Sequence, residues 1–149
     1  MFHLIYKSTA IHNLTPEDLQ NILKTAIEFN QKQNITGCLI YFNGFFVQFL
    51  ESSIQKNVEN LFYNQISKDK RHTNIQLLKT GDHKIRLFEK WNMAYHHLNQ
   101  SNTSQLEKFL FIDNLKLFIN NLKSGGDFSG MLSMKLFKAV AKGLIIHIK

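Results

Sequence analysis

ITGCLIYFNGFFVQFLES, residues 35–52, reads as two apolar strands joined at Asn43-Gly44. Asn-Gly between apolar runs is the strongest short-range sign of a hairpin, because both residues tolerate the positive φ of a tight turn. In the second strand, FFVQFL at 45–50, five of six residues are apolar, as in a strand covered on both faces. Gln48 interrupts it. Burying a carboxamide costs about 1–3 kcal/mol for each polar group left unpaired, so Gln48 requires a partner inside the fold.

Outward from the hairpin, HLIYKS (3–8) forms a first strand, and LTPED opens a helix with Thr15 as N-cap, Pro16 in the first turn, and Glu17 and Asp18 behind it. Leu19, Ile22, Leu23, Ala26 and Ile27 continue that helix as an apolar stripe whose next member is Asn30. A second helix is expected over 53–68, with Ile54, Val58, Leu61, Phe62 and Ile66 on one face. NIQLLKT (74–80) and WNMAYHH (91–97) complete the strands. The order predicts an α+β fold, a ferredoxin-like βαββαβ sheet with an extra strand. Strands 1 and 3 are central and both helices lie on one face. The polar stretch NQSNTSQ (99–105) separates a domain at 1–98 from a helical extension at 99–149. Residues 106–123 are apolar around most of a helix, and Leu136, Phe137, Val140 and Leu144 mark another, so a helical pair is expected on the sheet's other face. The broad apolar belt of 106–122 predicts self-association into a homo-oligomer.

The 149 residues suit one globular domain with its own core. No apolar run approaches the ~20 residues that span a bilayer, so no membrane role is expected. Met1-Phe2-His3 enters a strand without a secretory leader, and Cys38 is the sole cysteine, which points to a reducing cytoplasm. The net charge of +7 divides into an excess of three over residues 1–103 and four over 104–149, with no dense basic run. Direct nucleic-acid binding is therefore not expected. The histidines, His96-His97 included, lack metal-ligand spacing. With no nucleophile–base pair or paired carboxylates in one pocket, an enzyme is not expected either.

Alternation along strand 1 puts Tyr6 on the face of Leu4 and Ser8, and along strand 3 puts Gln48 with Phe46 and Leu50. With those strands adjacent, Tyr6, Asn30 and Gln48 can converge between sheet and helices. They could satisfy one another as a closed network. Alternatively, two carboxamides and a phenol suit a flat ligand with donors and acceptors along one edge. The pyrimidine edge of a flavin is such a ligand, and Ile22, Ile27, Phe46 and Ile66 would wall its rings.

The set Y6-K-S8, N30, I35-T-G37-C-L-I-Y41, G44-F-F-V-Q48-F-L-E51, D69-K-R71-H72-T-N74 and W91-N-M93 resembles the BLUF domains, blue-light sensors that use FAD, over roughly residues 2–97. The resemblance implies FAD as cofactor, with FMN or riboflavin as alternatives. In that family the strand-1 tyrosine, here Tyr6, gives an electron to the photoexcited flavin. The glutamine, here Gln48, bonds both the tyrosine and the flavin N5/C4=O region, and ends rotated or tautomerised. The helix-1 asparagine, here Asn30, holds the C2=O/N3–H/C4=O edge. Arg71 and His72 fall where the family approaches the ribityl and phosphate groups, and Trp91 and Met93 where it relays the signal.

Ser52 stands in place of a frequent glycine, Ala94 likewise, and Ala26 and Phe29 replace residues that are polar in several relatives. The expected protein is a short stand-alone photoreceptor regulating a separate protein. The rival is a light-insensitive flavin carrier or interaction adaptor on the same fold.

Overall fold

A computed structural model describes residues 1–12, 14–42, 44–89, 92–97 and 127–141. Five strands form one sheet: β1 (Phe2–Ala10), β2 (Thr36–Phe42), β3 (Phe45–Ser52), β4 (His72–Asp82) and β5 (Ala94–His97), in the order β4-β1-β3-β2-β5. β1–β3, β1–β4 and β2–β3 are antiparallel, whereas β5 runs parallel to β2. Strands 1 and 3 are thus central, as the ferredoxin-like reading requires, and β5 is the extra strand.

Helix α1 (Pro16–Lys32) starts as its sequence dictates. Thr15 Oγ1 accepts from the Asp18 N–H at 3.1 Å, and Asp18 Oδ2 accepts from the Thr15 N–H at 3.0 Å, a reciprocal capping box. The helix ends where Asn34 takes φ 55° and the Ile35 N–H returns to the Asn30 carbonyl at 3.0 Å. Asn30 therefore sits in the last turn, 1 % exposed, the only buried residue of the helix.

The second helix departs from the expected unbroken 53–68. Helix α2 spans Gln55–Asn60, a π-turn takes Leu61–Gln65, and a 3₁₀ turn closes it at Ile66–Lys68. In the π-turn the Ile66 N–H reaches back five residues to the Leu61 carbonyl, as well as to that of Phe62, which widens the helix there. Ile54 is half exposed rather than on the buried face. Ser52 is fully buried and its Oγ accepts from the Ile54 N–H at 3.1 Å, so a hydroxyl shapes this turn.

Two cores flank the sheet. Leu4, Tyr6, Leu39, Phe46 and Leu50 pack with α1, Val58, Leu61 and Phe62 on one side. On the other, Ile5, Ile40, Val47 and Phe49 pack with Leu136, Phe137 and Val140 of α3 (Asp127–Ala141). α3 approaches closely: a Cβ on Gly130 would lie 2.6 Å from the Leu78 carbonyl oxygen. The helix expected at 106–123, Trp91 and Leu144 lie outside the described residues. Among the described residues no helix is long and apolar enough to cross a membrane.

Gly37 shows how tightly the hairpin is set. A Cβ there would stand 2.1 Å from the Phe49 carbonyl oxygen, a backbone atom that cannot swing away. Gly37→Ala should destabilise the fold by about 2 kcal/mol, read as a lower urea midpoint at unchanged slope.

Candidate functional site

Tyr6 and Gln48 are direct cross-strand partners on β1 and β3, so the register that sequence could not fix does bring them together. The Tyr6 hydroxyl donates to Gln48 Oε1. That assignment leaves the Gln48 amide nitrogen as donor, and it reaches Met93 Sδ at 3.2 Å. A thioether is a weak acceptor, and one sulfur contact leaves the NH2 group underused. Asn30 Nδ2 donates to the Asn92 carbonyl at 3.0 Å, while Asn30 Oδ1 is buried with no partner. The polar triangle is therefore only partly self-satisfied, and its unmet capacity belongs to Asn30 and Gln48.

Tyr6, Asn30 and Gln48 line one cavity of about 190 Å³ between the sheet and the helices. Tyr6, Ile22, Asn30, Phe46, Gln48, Ile66, Arg71 and His72 all face it, as expected from sequence. Thr25, Ala26, Phe29, Leu39, Leu61, Gln65 and Asp69 complete the lining. Ile27, expected in the wall, is 40 % exposed instead, because it lies well around the helix from Ile22, Ala26 and Phe29. Gln65 was passed over because it is polar, although it follows Leu61 by four residues and Phe62 by three and so shares their helical face.

Burial in this apolar setting, with the Asp69 charge adding to it, pushes the Tyr6 phenol far above its ordinary range. Tyr6 therefore remains a neutral O–H donor, and losing an electron obliges it to release the proton along its bond to Gln48. At the rim, Arg71 grips Asp69, with Nη2–Oδ2 at 2.5 Å and Nε–Oδ1 at 2.9 Å. Partial burial raises the Asp69 carboxyl, but the bonds from Arg71 outweigh it and hold the group below the usual range.

His72 lines the cavity with both ring nitrogens already in contact with the protein. Its Nε2 lies 2.7 Å from the Ile66 carbonyl and its Nδ1 2.7 Å from Ser8 Oγ. A carbonyl only accepts, so Nε2 donates to it and the neutral ring's Nδ1 takes the serine proton. Both nitrogens serve to tie the 3₁₀ turn to β1 beside Tyr6. His72 thus holds the wall, and Arg71 is left as the cation at the mouth.

A flat heteroaromatic with an N–H flanked by carbonyls fits this donor set. Asn30 Oδ1 lacks a donor, the Gln48 amide can present N–H or C=O, and the remaining lining is largely apolar. Residues 1–94 match the family model BLUF, "Sensors of blue-light using FAD". Photoactivated adenylate cyclase subunit beta of Euglena gracilis is 36% identical over 92 residues, which are 61% of this chain and 10% of that protein. This chain thus spans about a tenth of the length of that relative. Among solved structures, the photo-activated state of BlsA superposes with a TM-score of 0.71 at 29% identity, covering 99% of this chain and 97% of that one. A bacterial light-regulated adenylyl cyclase gives 0.69 at 32% identity, over 95% of this chain and 40% of that one. The chain belongs to the BLUF family of flavin-based blue-light sensors.

Proposed function

We propose that this chain senses blue light through Tyr6 and Gln48 and passes the signal to a separate regulatory protein. The observation that carries the reading is the bonded pair Tyr6–Gln48 in one cavity with the unpaired Asn30 oxygen, the Gln48 amide reaching Met93 behind it. Asn30 would hold the flavin edge, the apolar walls would clasp its rings and Arg71 would meet its phosphate end. Excited by blue light, bound flavin supplies a strong one-electron oxidant. Tyr6 would be the residue that gives up an electron to it, its proton passing to Gln48 Oε1 while the Gln48 amide nitrogen releases one in turn. Gln48 can then settle rotated or tautomerised, because a carboxamide presents a donor or an acceptor with equal ease. Either change alters what it offers Met93, which is 4 % exposed and sits at the start of β5.

Residues 1–98 would act as the sensor and 99–149 as the extension whose packing reports its state; α3, against Phe49 on the opposite face of β3, is placed to feel that strand move. The photo-activated state of BlsA, a light-responsive protein, is matched by this fold almost end to end. The cyclase relatives are far longer than the segment this chain matches. A pull-down in darkness and in light tests the output.

Reconstitution with FAD and blue illumination tests the sensor, with a reversible red shift of the visible bands as the expected result. Tyr6→Phe should keep flavin bound and lose the reversible shift. Flavin bands indifferent to light in the unaltered protein would favour the carrier reading, and protein that takes up no flavin the adaptor.

A further inference from the structure

On the sheet face away from the cavity lies a buried acid that the sensor reading does not use. Glu51, on β3 three residues from Gln48, is 0 % exposed and bonded on every side. Oε1 accepts from Thr36 Oγ1 at 2.9 Å and from the Phe88 N–H at 2.7 Å. Oε2 accepts from His83 Nε2 at 2.8 Å and from the Leu87 N–H at 2.9 Å. A carboxylate so placed cannot be lost cheaply, since its partners are desolvated with it. What it holds is the connection from β4 to β5, and that connection leads to Met93. Asn92, next to Met93, is fastened at its far end: its Nδ2 donates to the Ile35 carbonyl at 3.2 Å, one residue from Thr36. Arg86 Nη1 reaches Thr36 Oγ1 at 2.7 Å and closes the cluster.

His83 continues the chain, its Nδ1 lying 2.9 Å from Nδ1 of His3. Because the carboxylate only accepts, His83 Nε2 carries a proton, and the two Nδ1 atoms share a single hydrogen between them. His3 is 2 % exposed and its Nε2 has no partner. A further proton must therefore break the His3–His83 bond or leave an N–H at His3 Nε2 with nothing to accept it. The charged groups facing this pair are Glu51 on β3, Lys79 and Asp82 on β4, and Lys138 on α3. Arg86 joins through Thr36.

We propose that Glu51 is the positioning residue that sets where the Met93 sulfur stands against Gln48, and that the His83–His3 pair makes this setting respond to protons. Met93 contacts the Gln48 amide directly; Glu51 acts on it only through the loop. The consequence for the lifetime of the light state rests on the sensor reading above, whereas the positioning itself does not.

The test uses the full chain with FAD in the dark, carrying a ¹³C-labelled Met93 methyl and ¹⁵N-labelled backbone and imidazoles. Glu51→Gln keeps the side-chain size but presents N–H to groups that themselves donate. It should speed amide exchange at Leu87 and Phe88 roughly tenfold, move the Met93 methyl resonance, and change the thermal recovery of the red-shifted state roughly fivefold, with flavin still bound. Lowering the pH should move the Met93 resonance in step with the His3 and His83 ring nitrogens, and His83→Gln should abolish that correlation. Should Glu51→Gln fail to fold, His83→Gln alone decides, because it leaves the bonds from Thr36, Leu87 and Phe88 to the carboxylate. Fast exchange at Leu87 and Phe88 with an unmoved Met93 methyl would overturn the proposal, as would a Met93 resonance that follows pH equally well in His83→Gln. If the unaltered protein shows no photocycle while Met93 still responds to Glu51→Gln, the sensor reading fails and the positioning stands.

Discussion

Gln48→Leu is expected to leave a folded protein that binds flavin and shows no reversible red shift under blue light. Leucine is close to glutamine in size, so the strand keeps its packing between Phe46 and Leu50. The change removes a buried carboxamide, which stabilises, and strands the Tyr6 hydroxyl, which costs about 1–3 kcal/mol. The two effects oppose each other, so the urea midpoint should move little against a total stability of about 5–15 kcal/mol. Function should respond without such compensation. Tyr6 loses the acceptor for its proton. Burial holds that phenol neutral, so its oxidation has to be accompanied by loss of its proton. Met93 loses the amide donor that reaches its sulfur. Difference spectroscopy during and after illumination reads the outcome. A shift of ordinary size that recovers in the dark would mean that exchange of donor and acceptor at Gln48 is not the switch.

This result would separate Gln48 from Tyr6, whose replacement also stops the cycle. Phenylalanine at position 6 removes the electron donor and leaves the Gln48 amide to seek other partners; leucine at 48 keeps the donor and removes the carrier of the hydrogen-bond change. A variant without the amide that still quenches flavin fluorescence, yet accumulates no shifted state, would show electron transfer continuing and only the switching lost.

Much of this was readable before the structure, for identifiable reasons. Strand alternation and the Asn-Gly turn are local, and they determine which face Tyr6 and Gln48 share. The helix stripe ending at Asn30 is equally local, because it depends only on the 3.6-residue repeat and a sound N-cap. The second helix misled because a π-turn and an α-helix use similar apolar residues. The choice between them is made by tertiary packing against β1 and β3, not by the composition of LFYNQ. Gln65 was missed because it is polar, although helical spacing puts it with Val58, Leu61 and Phe62, and Ile54 was placed inward in error. His72 was singled out through the family resemblance, as a candidate for the ribityl and phosphate groups, but its bonding was not legible, since Ser8 lies 64 positions away in the chain and Ile66 comes near only after the 3₁₀ turn. Glu51 is the sharpest case. An acidic residue at the end of an apolar strand reads as the point where the chain meets water. In the fold it is enclosed by Thr36, His83, Leu87 and Phe88, and no local pattern announces partners drawn from two other segments.

Acid should unfold this protein earlier than its carboxylates alone would require, and His3 is the reason. Burial, reinforced by the neighbouring His83, Lys79 and Lys138 and only partly opposed by Asp82, lowers its pKa from 6.5 to about 4. The folded value lies below the unfolded one, so between these limits the unfolded chain binds a proton that the native state refuses. Stability from this group is complete above pH 6.5, falls as pH drops and is gone below about pH 4. The full difference corresponds to about 3 kcal/mol, a large part of a marginal fold. Urea midpoints at intervals from pH 7 to pH 4 give the total slope, in which other titrating groups also contribute. His3→Phe isolates the histidine: phenylalanine keeps the stacking on Phe49, at 5.7 Å between centroids in the native pair, but cannot take a proton. The native curve should fall more steeply than the variant's through pH 6 and 5, and the gap should stop changing below pH 4. Parallel curves across that window would mean that His3 accepts its proton in the folded state as readily as in the unfolded chain. The apolar contacts around it, Phe49 first among them, would then have to open to water before the sheet does.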